Sequence, residues 1–236
     1  PGSMGIARDL FGEGLVLPPV LLRRRGVLQR DVHRLLLANV RGPGERELDL
    51  AAQASSVQRL ADRILDLQRD WGRASLLAHV RGLFDYSERV GRMALQQLRR
   101  GRFSAQDHLE DDGQGNGPLP IRLDLHTNGK RLRFDFGRSA AQAMGGVNAN
   151  RSVVVAACAY AVRCLCPSRL PTNAGLFRLF EVATRPGSVV GPVRPAPVAG
   201  GNVETSQRLV DVCFQALGKA LPGRLPACSA GTMSNF

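Results

Sequence analysis

Ile121-Arg122-Leu123-Asp124-Leu125-His126-Thr127-Asn128-Gly129-Lys130-Arg131-Leu132-Arg133-Phe134-Asp135-Phe136 is the stretch that decides the fold class. Apolar and polar residues alternate through Ile121, Leu123 and Leu125, and again through Leu132, Phe134 and Phe136. Each run therefore puts its apolar side chains on one face of a strand. Asn128-Gly129 between them is a pair suited to the positive φ of a hairpin turn. Two paired strands with one apolar face need another layer to cover it. Downstream, Ser152–Leu165 is rich in Val and Ala and carries no charge before Arg163, which predicts a buried helix. Phe177–Thr184 reads as a further strand closed by Pro186-Gly187. A proline-rich connection follows, from Pro192 to Pro197, and Glu204–Leu221 reads as a helix with Leu209, Val212, Cys213, Ala216 and Leu217 turned inward.

Upstream, the character changes at Gly101. Asp111-Asp112-Gly113-Gln114-Gly115-Asn116-Gly117 is dense in turn formers and is expected to contribute nothing to a core. Before it, Leu50, Ala54, Val57, Leu60, Ile64, Leu67 and Trp71 recur every three or four residues, the stripe of an amphipathic helix. Asp49 stands where an N-cap belongs and Gly72 where the helix stops. A second stripe runs from Leu76 to Leu98, so two long helices joined by a tight turn are expected to pack antiparallel. A shorter helix is expected over Asp31–Val40, capped by Asp31. The fold class is α+β: a long helical hairpin followed by a mixed β-sheet region with packed helices. Residues 5–100 form the N-terminal segment with the hairpin and residues 101–236 the α+β region, on one continuous core. Pro1-Gly2-Ser3-Met4 reads as a protease scar and start methionine.

Composition excludes several classes. A hydrophobic fraction of 44% is too high for a disordered chain. No apolar run approaches the roughly 20 residues that span a bilayer, and no signal peptide is visible, so a cytoplasmic protein is expected. The five cysteines are odd in number and lack CxxC spacing, which suits buried thiols rather than disulfides or zinc knuckles. The net charge of +12 would suit a nucleic-acid binder. Yet the basic residues are almost all arginine, Lys130 and Lys219 being the two lysines, and they are spread along the chain. Aromatic residues, at 5%, are too few for a base-stacking platform. An acidic partner surface accounts for the charge better. His33, His79, His108 and His126 show no metal-ligand spacing, and neither GxxxxGK[ST] nor GxGxxG is present.

Several stretches, in order, carry a resemblance: Glu13-Gly14-Leu15 with Pro18-Pro19; Asn39-Val40-Arg41, Asp49-Leu50 and Ala52-Gln53; the Gly101–Gly113 stretch ending in Asp-Asp-Gly; Phe134-Asp135-Phe136; and Gly146-Val147-Asn148. They continue with Pro171-Thr172-Asn173-Ala174-Gly175, Gly201-Asn202-Val203-Glu204-Thr205 and Ala227-Cys228-Ser229-Ala230-Gly231-Thr232-Met233. No piece is specific alone; their order over nearly the whole chain is. The chain resembles the C-terminal half of the hydantoinase B/oxoprolinase family. That family includes the B subunits of bacterial hydantoinases, the C-terminal part of 5-oxoprolinase and components of acetone-type carboxylases. The resemblance implies members more than twice this length, with His- and Asp-rich metal motifs upstream of the part matched here. Where the family follows its Phe-flanked aspartate with a small residue and glycine, this chain has Gly137-Arg138-Ser139.

The resemblance implies ATP-dependent opening of a cyclic amide such as a hydantoin or 5-oxoproline, or an analogous carboxylation. The implied partners are a hydantoinase A-like ATP-binding subunit of kinase type and the missing N-terminal half. ATP and a divalent metal belong to the complete complex, with no cofactor or metal expected on this chain. Such chemistry needs a positioned acid or base and donors for a developing oxyanion. Asp135, Asn148, Asn173, Asn202, Glu204 and Thr232 are the catalytic candidates, although each also has a purely structural reading as a turn or helix-start residue. Two alternatives stay open. One is a non-catalytic or repurposed interaction or structural module lacking the metal half, in a biosynthetic pathway; a homo-oligomer is a separate partner expectation. The other is processing after Phe236 that frees an N-terminal nucleophile on a companion chain.

Overall fold

The computed structural model describes residues 7–229. Thr232 lies outside them. Helix α1 (Leu10–Glu13) is followed by a small antiparallel ribbon of β1 (Arg23–Arg24) and β2 (Val27–Leu28). Its turn uses Arg25 and Gly26 at φ 50° and 83°, so Arg23-Arg24-Arg25 leads into a hairpin tip. Helix α2 (Arg30–Ala38) places Asp31 in its first turn rather than at the cap, which is Gln29. Helix α3 (Pro43–Trp71) begins six residues before Asp49, because Pro43 at the first helical position already has a helical φ. Asp49 instead pairs with Arg46 at 3.2 Å. Gly72, at φ 74°, ends α3 as expected, and α4 (Arg73–Leu95) starts at the next residue.

The sheet lies beyond. Strands β3 (Gly101–Leu109), β4 (Leu119–Thr127) and β5 (Leu132–Asp135) are antiparallel neighbours, and β6 (Phe180–Ala183) adds to β5 in parallel, giving a mixed sheet in the order β3-β4-β5-β6. Between β5 and β6 stand α5 (Arg151–Leu165) and the single turn α6 (Ala174–Phe177). A 3-10 turn (Ala199–Asn202) then leads into α7 (Thr205–Ala220). The strand expected from Phe177 begins at Phe180, because Asn173 caps α6 by accepting from the Gly175 N–H and the chain turns once before it extends. The β4–β5 hairpin pairs Thr127 with Leu132. Its loop is therefore four residues long, and the Asn128 side-chain oxygen holds it by accepting from the Lys130 and Arg131 N–H groups at 2.9 and 2.8 Å.

One face of the sheet is the core. Ala105, Ile121, Leu123, Leu125, Leu132 and Phe134 are buried beneath α7 and α5, which contribute Leu209, Val212, Cys213, Leu217, Val154, Cys158 and Val162. Asp107 stands on that same face of β3 and pairs with Arg208 of α7 at 3.3 Å, fixing helix against strand. Cys158 and Cys213 meet where α5 packs on α7, and burial pushes the Cys158 thiol far up; Cys164 and Cys228, by contrast, are exposed. The residues divide into two compact units, Gly14–Arg81 and the described parts of Pro1–Glu13 with Gly82–Phe236. Within Gly14–Arg81 the apolar stripe of α3 is open to solvent, although the sequence placed it inside a helical hairpin. A joint of one residue cannot reverse the chain as the two to five residues of a helical hairpin loop do.

The acidic turn departs furthest from expectation. Asp112 is only 1% exposed. Its carboxylate accepts from the backbone N–H groups of Gln114 and Asn116 at 2.9 and 3.0 Å, from the Asn116 amide, and from the Gly145 N–H at 3.1 Å. Gly145 must be glycine for this contact, since a Cβ there would stand 1.7 Å from the Asp112 carbonyl oxygen. Composition said turn; the carboxylate makes that turn a clasp between two distant loops. Burial raises the Asp112 pKa, and the donors outweigh it, holding the carboxyl below its usual range.

Two outcomes follow. Phe134→Ala, which empties the centre of the sheet, should cost about 3–5 kcal/mol in urea unfolding. Because the folded pKa of Asp112 is depressed, its contribution is full above the ordinary carboxylate range and is lost as pH falls through the folded value. Asp112→Ala should therefore cost about 3 kcal/mol at neutral pH, and the gap from the parent should narrow in acid. A gap that widens in acid would be the wrong sign.

Candidate functional site

The five candidates among the described residues fall in different places. Asp135 closes β5 on the open face of the sheet, directly opposite Asp124 of β4. Two like charges in register repel unless they are compensated. Arg138 compensates Asp124 with two bonds of 2.7 and 2.8 Å, and Ser104 donates to it at 2.6 Å. The Ser104 hydroxyl and, after it, Arg138 hold the Asp124 carboxyl below its usual range against the opposing effect of burial. Asp135 has weaker support: Arg133 at 3.4 Å, and the Gly137 N–H at 2.9 Å. Arg185 grips the Gly137 and Ser139 carbonyls, so the turn after Asp135 is fixed to the chain after β6. Asp135 is thus a partly exposed carboxylate on a rigid strand end, with one arginine loosely beside it.

Asn148, Asn202 and Glu204 do come together, around a contact of backbone on backbone. Asn148 is fully buried, and its carboxamide is spent internally. It accepts from the Ala143 N–H at 2.8 Å and donates to the carbonyls of Ala143, Gly145 and Pro197 at 2.9, 3.2 and 2.9 Å. Above it lies the 3-10 turn. The Gly200 and Gly201 N–H groups donate to the Gly146 carbonyl, and a Cβ on Gly201 would sit 2.0 Å from the Asn148 carbonyl oxygen. Thr205, at the start of α7, donates its hydroxyl to the Val147 carbonyl. The Glu204 N–H donates to the Gly200 carbonyl at 2.8 Å, and the exposed Asn202 accepts from Ser206 through its own carbonyl. From the other end of the chain, Glu13 accepts from the Val198 and Ala199 N–H groups at 2.6 and 2.7 Å, steadying the entry to the turn.

Asn173 belongs to a third place. Its amide donates to the buried Ser87 hydroxyl at 2.8 Å, and Gly175 beside it comes so near α4 that a Cβ would lie 2.1 Å from the Phe84 carbonyl oxygen. Sequence reading missed Asp211. It is a buried acid on the inner side of α7 that accepts from the Ser229 N–H at 3.1 Å, beside a cavity of about 430 Å³ that Tyr160, Phe214 and Pro226 also line. Its signal was available: a lone acid between Val210 and Val212, in the apolar face of a helix, must find a donor. Among the described residues, no group of three or more His, Cys, Asp or Glu could hold a metal ion. The four histidines lie apart, His33 near Glu47, His79 on Ser75, His108 beside Asp107, and His126 on the sheet. No described helix is long and apolar enough to cross a membrane.

Comparison with known proteins finds relatives in both sequence and fold. An uncharacterised protein of Methanocaldococcus jannaschii is 34% identical over 236 residues, covering 100% of this chain and 41% of that protein. 5-Oxoprolinase 1 of Arabidopsis thaliana is 28% identical over 259 residues, covering 100% of this chain and 20% of that one. The crystal structure of ATP-dependent caprolactamase from Pseudomonas jessenii superposes with a TM-score of 0.85 at 27% identity, over 91% of this chain and 37% of that chain. The chain therefore spans about two-fifths or less of the length of these relatives. The family model for hydantoinase B/oxoprolinase matches residues 1–236. Both the model match and the shared fold lead to one assignment: the chain belongs to the hydantoinase B/oxoprolinase family.

Proposed function

We propose that this chain is the C-terminal part of a hydantoinase B-type polypeptide acting in ATP-dependent opening of a cyclic amide, together with an ATP-binding partner and the rest of its own polypeptide. The observation that carries the reading is the likeness to ATP-dependent caprolactamase, close in fold and above a quarter in identity across nine-tenths of the chain. Two relatives are components of larger enzymes by name, one of a putative D-/L-hydantoinase and one of caprolactamase, which supports a partner.

Asp135 is a candidate whose surroundings leave a carboxylate available to a reacting group. A base must reach the proton that it takes, and Asp135 is partly exposed at a strand end whose turn is already fixed. Its one bond from a backbone donor, the Gly137 N–H, orients the carboxylate and leaves the second oxygen facing only Arg133. Asn148, Asn173 and the Gly201–Thr205 motif act as positioning groups, holding the loops that frame the sheet. Thr232 remains a candidate as an oxyanion donor.

A second reading, a module with no catalysis of its own, is favoured by one observation: Asp135, Asn148 and Asn173 stand in three separate environments, and two of the three have their side chains committed to internal hydrogen bonds.

The test is reconstitution of the full-length polypeptide with an ATP-binding partner, followed by phosphate release with hydantoin, 5-oxoproline and caprolactam. The expected result is ATP turnover stimulated by one of these rings. Asp135→Asn should lower kcat by at least about 100-fold while leaving the urea midpoint unchanged. A complex without ring-stimulated turnover overturns the catalytic reading, and full activity in the Asp135 variant overturns the role given to that residue.

A further inference from the structure

The open face of the sheet carries its charges in rows. The strand register sets Arg102 of β3 opposite His126 of β4, His126 opposite Arg133 of β5, and Arg133 opposite Glu181 of β6. The next row along, Ser104, Asp124 and Asp135, holds the acids already described. Basic side chains in register on neighbouring strands disfavour one another, and this row is thinly compensated. Arg133 reaches Asp135 at 3.4 Å and Glu181 at 3.9 Å. Arg102 has no ion pair among the described residues, and neither has Arg131, in the turn between β4 and β5. These four basic residues, with Asn128 and Glu181, line an open pocket of about 460 Å³.

The lining selects the chemistry of a ligand. Three arginines against Glu181 leave two positive charges, which match a phosphate dianion and exceed what a single carboxylate needs. All three arginines are exposed, and each offers phosphate oxygens a planar fork of N–H donors. A nucleobase finds no stacking surface, because the His126 imidazole is the one aromatic ring among the lining residues. A docking protein segment finds no apolar anchor either. Leu132 is the one large apolar side chain in the lining, and it is 2% exposed and turned to the core. We infer that this pocket is a phosphate-binding site, in which Arg102, Arg131 and Arg133 hold the oxygens of a phosphate dianion above His126. The phosphate is either the free ion or an ester on a small organic group. Arg133 also touches Asp135, so the bound group stands one row from that carboxylate. Binding here needs neither ring opening nor ATP turnover and is separate from the catalytic reading.

Calorimetric titration of the chain with inorganic phosphate, methyl phosphate and acetate tests it, repeated on the longer polypeptide proposed above. Both phosphates are expected to bind at least about tenfold more tightly than acetate, and the tighter of the two identifies the source. Arg102→Gln and Arg133→Gln should each weaken phosphate binding about tenfold with the urea midpoint unchanged. Arg122→Gln, which removes an open-face arginine bonded to Gln106 at 2.8 Å, should leave binding as it was. The ring signals of His126 should shift on phosphate addition in NMR spectra. Absence of phosphate binding overturns the proposal, as does acetate binding of equal strength. Equal weakening by Arg122→Gln overturns it too, by reducing the effect to net charge. Binding to the chain that disappears in the longer polypeptide also overturns it, because an acidic segment of that polypeptide then holds the pocket.

Discussion

The architecture depends on one contact, the seating of the Gly200-Gly201 backbone on the backbone of Gly146–Asn148. No side chain fits between them, and the Cβ distance of 2.0 Å at Gly201 shows how little room there is. A contact this close works only if every buried polar group in it is paired, and Asn148 does that pairing with one acceptor and three donor contacts from a single carboxamide. Removal of any partner would leave a buried polar group unpaired, at a cost of about 1–3 kcal/mol.

From that contact the loops are tied outward. Gly145 is clasped by Asp112, the 3-10 turn is steadied by Glu13, and Thr205 fixes the start of α7 to Val147. The segment 137–149 runs alongside 185–191 through the Ala140 and Ser188 pairings, so the turn after Asp135 is connected to the same framework. Loops that carry function are usually mobile. Here acids and close glycines tie them to the framework. The acids do this through the backbone: Asp112, Glu13 and Asp211 each accept backbone N–H groups, and charge-assisted bonds of this kind are stronger than neutral ones.

Much of the fold was legible in the sequence. Period-two alternation placed β4 and β5, where burial on one face leaves a simple mark on residue order; apolar spacing of three and four placed α3, α4 and α7, and an uncharged run of Val and Ala placed α5. Strand β3 was not recognised: its inward positions are Phe103, Ala105, Asp107 and Leu109, and the small Ala105 and the charged Asp107 hide the pattern until Arg208 is seen to satisfy the acid. The Asp111–Gly117 cluster read correctly as a turn and wrongly as coreless, since composition cannot show that Gly145, more than thirty residues away, completes the Asp112 site. The family motifs were visible as strings. Their work was not, because a glycine pressed against a carbonyl and a glycine in an open loop are the same letter.

The most direct measurement is a paired substitution in urea unfolding, Gly201→Ala beside Gly218→Ala. Gly218 lies in α7 with nothing within 4 Å of its Cβ position, so alanine there should be neutral or stabilising by up to about 1 kcal/mol. At Gly201 the same methyl group must force two backbones apart, with an expected loss of about 3 kcal/mol or more and with amide exchange accelerated at Gly145–Asn148. Equal stabilities for the two variants, or unchanged exchange at Gly145–Asn148, would contradict the account.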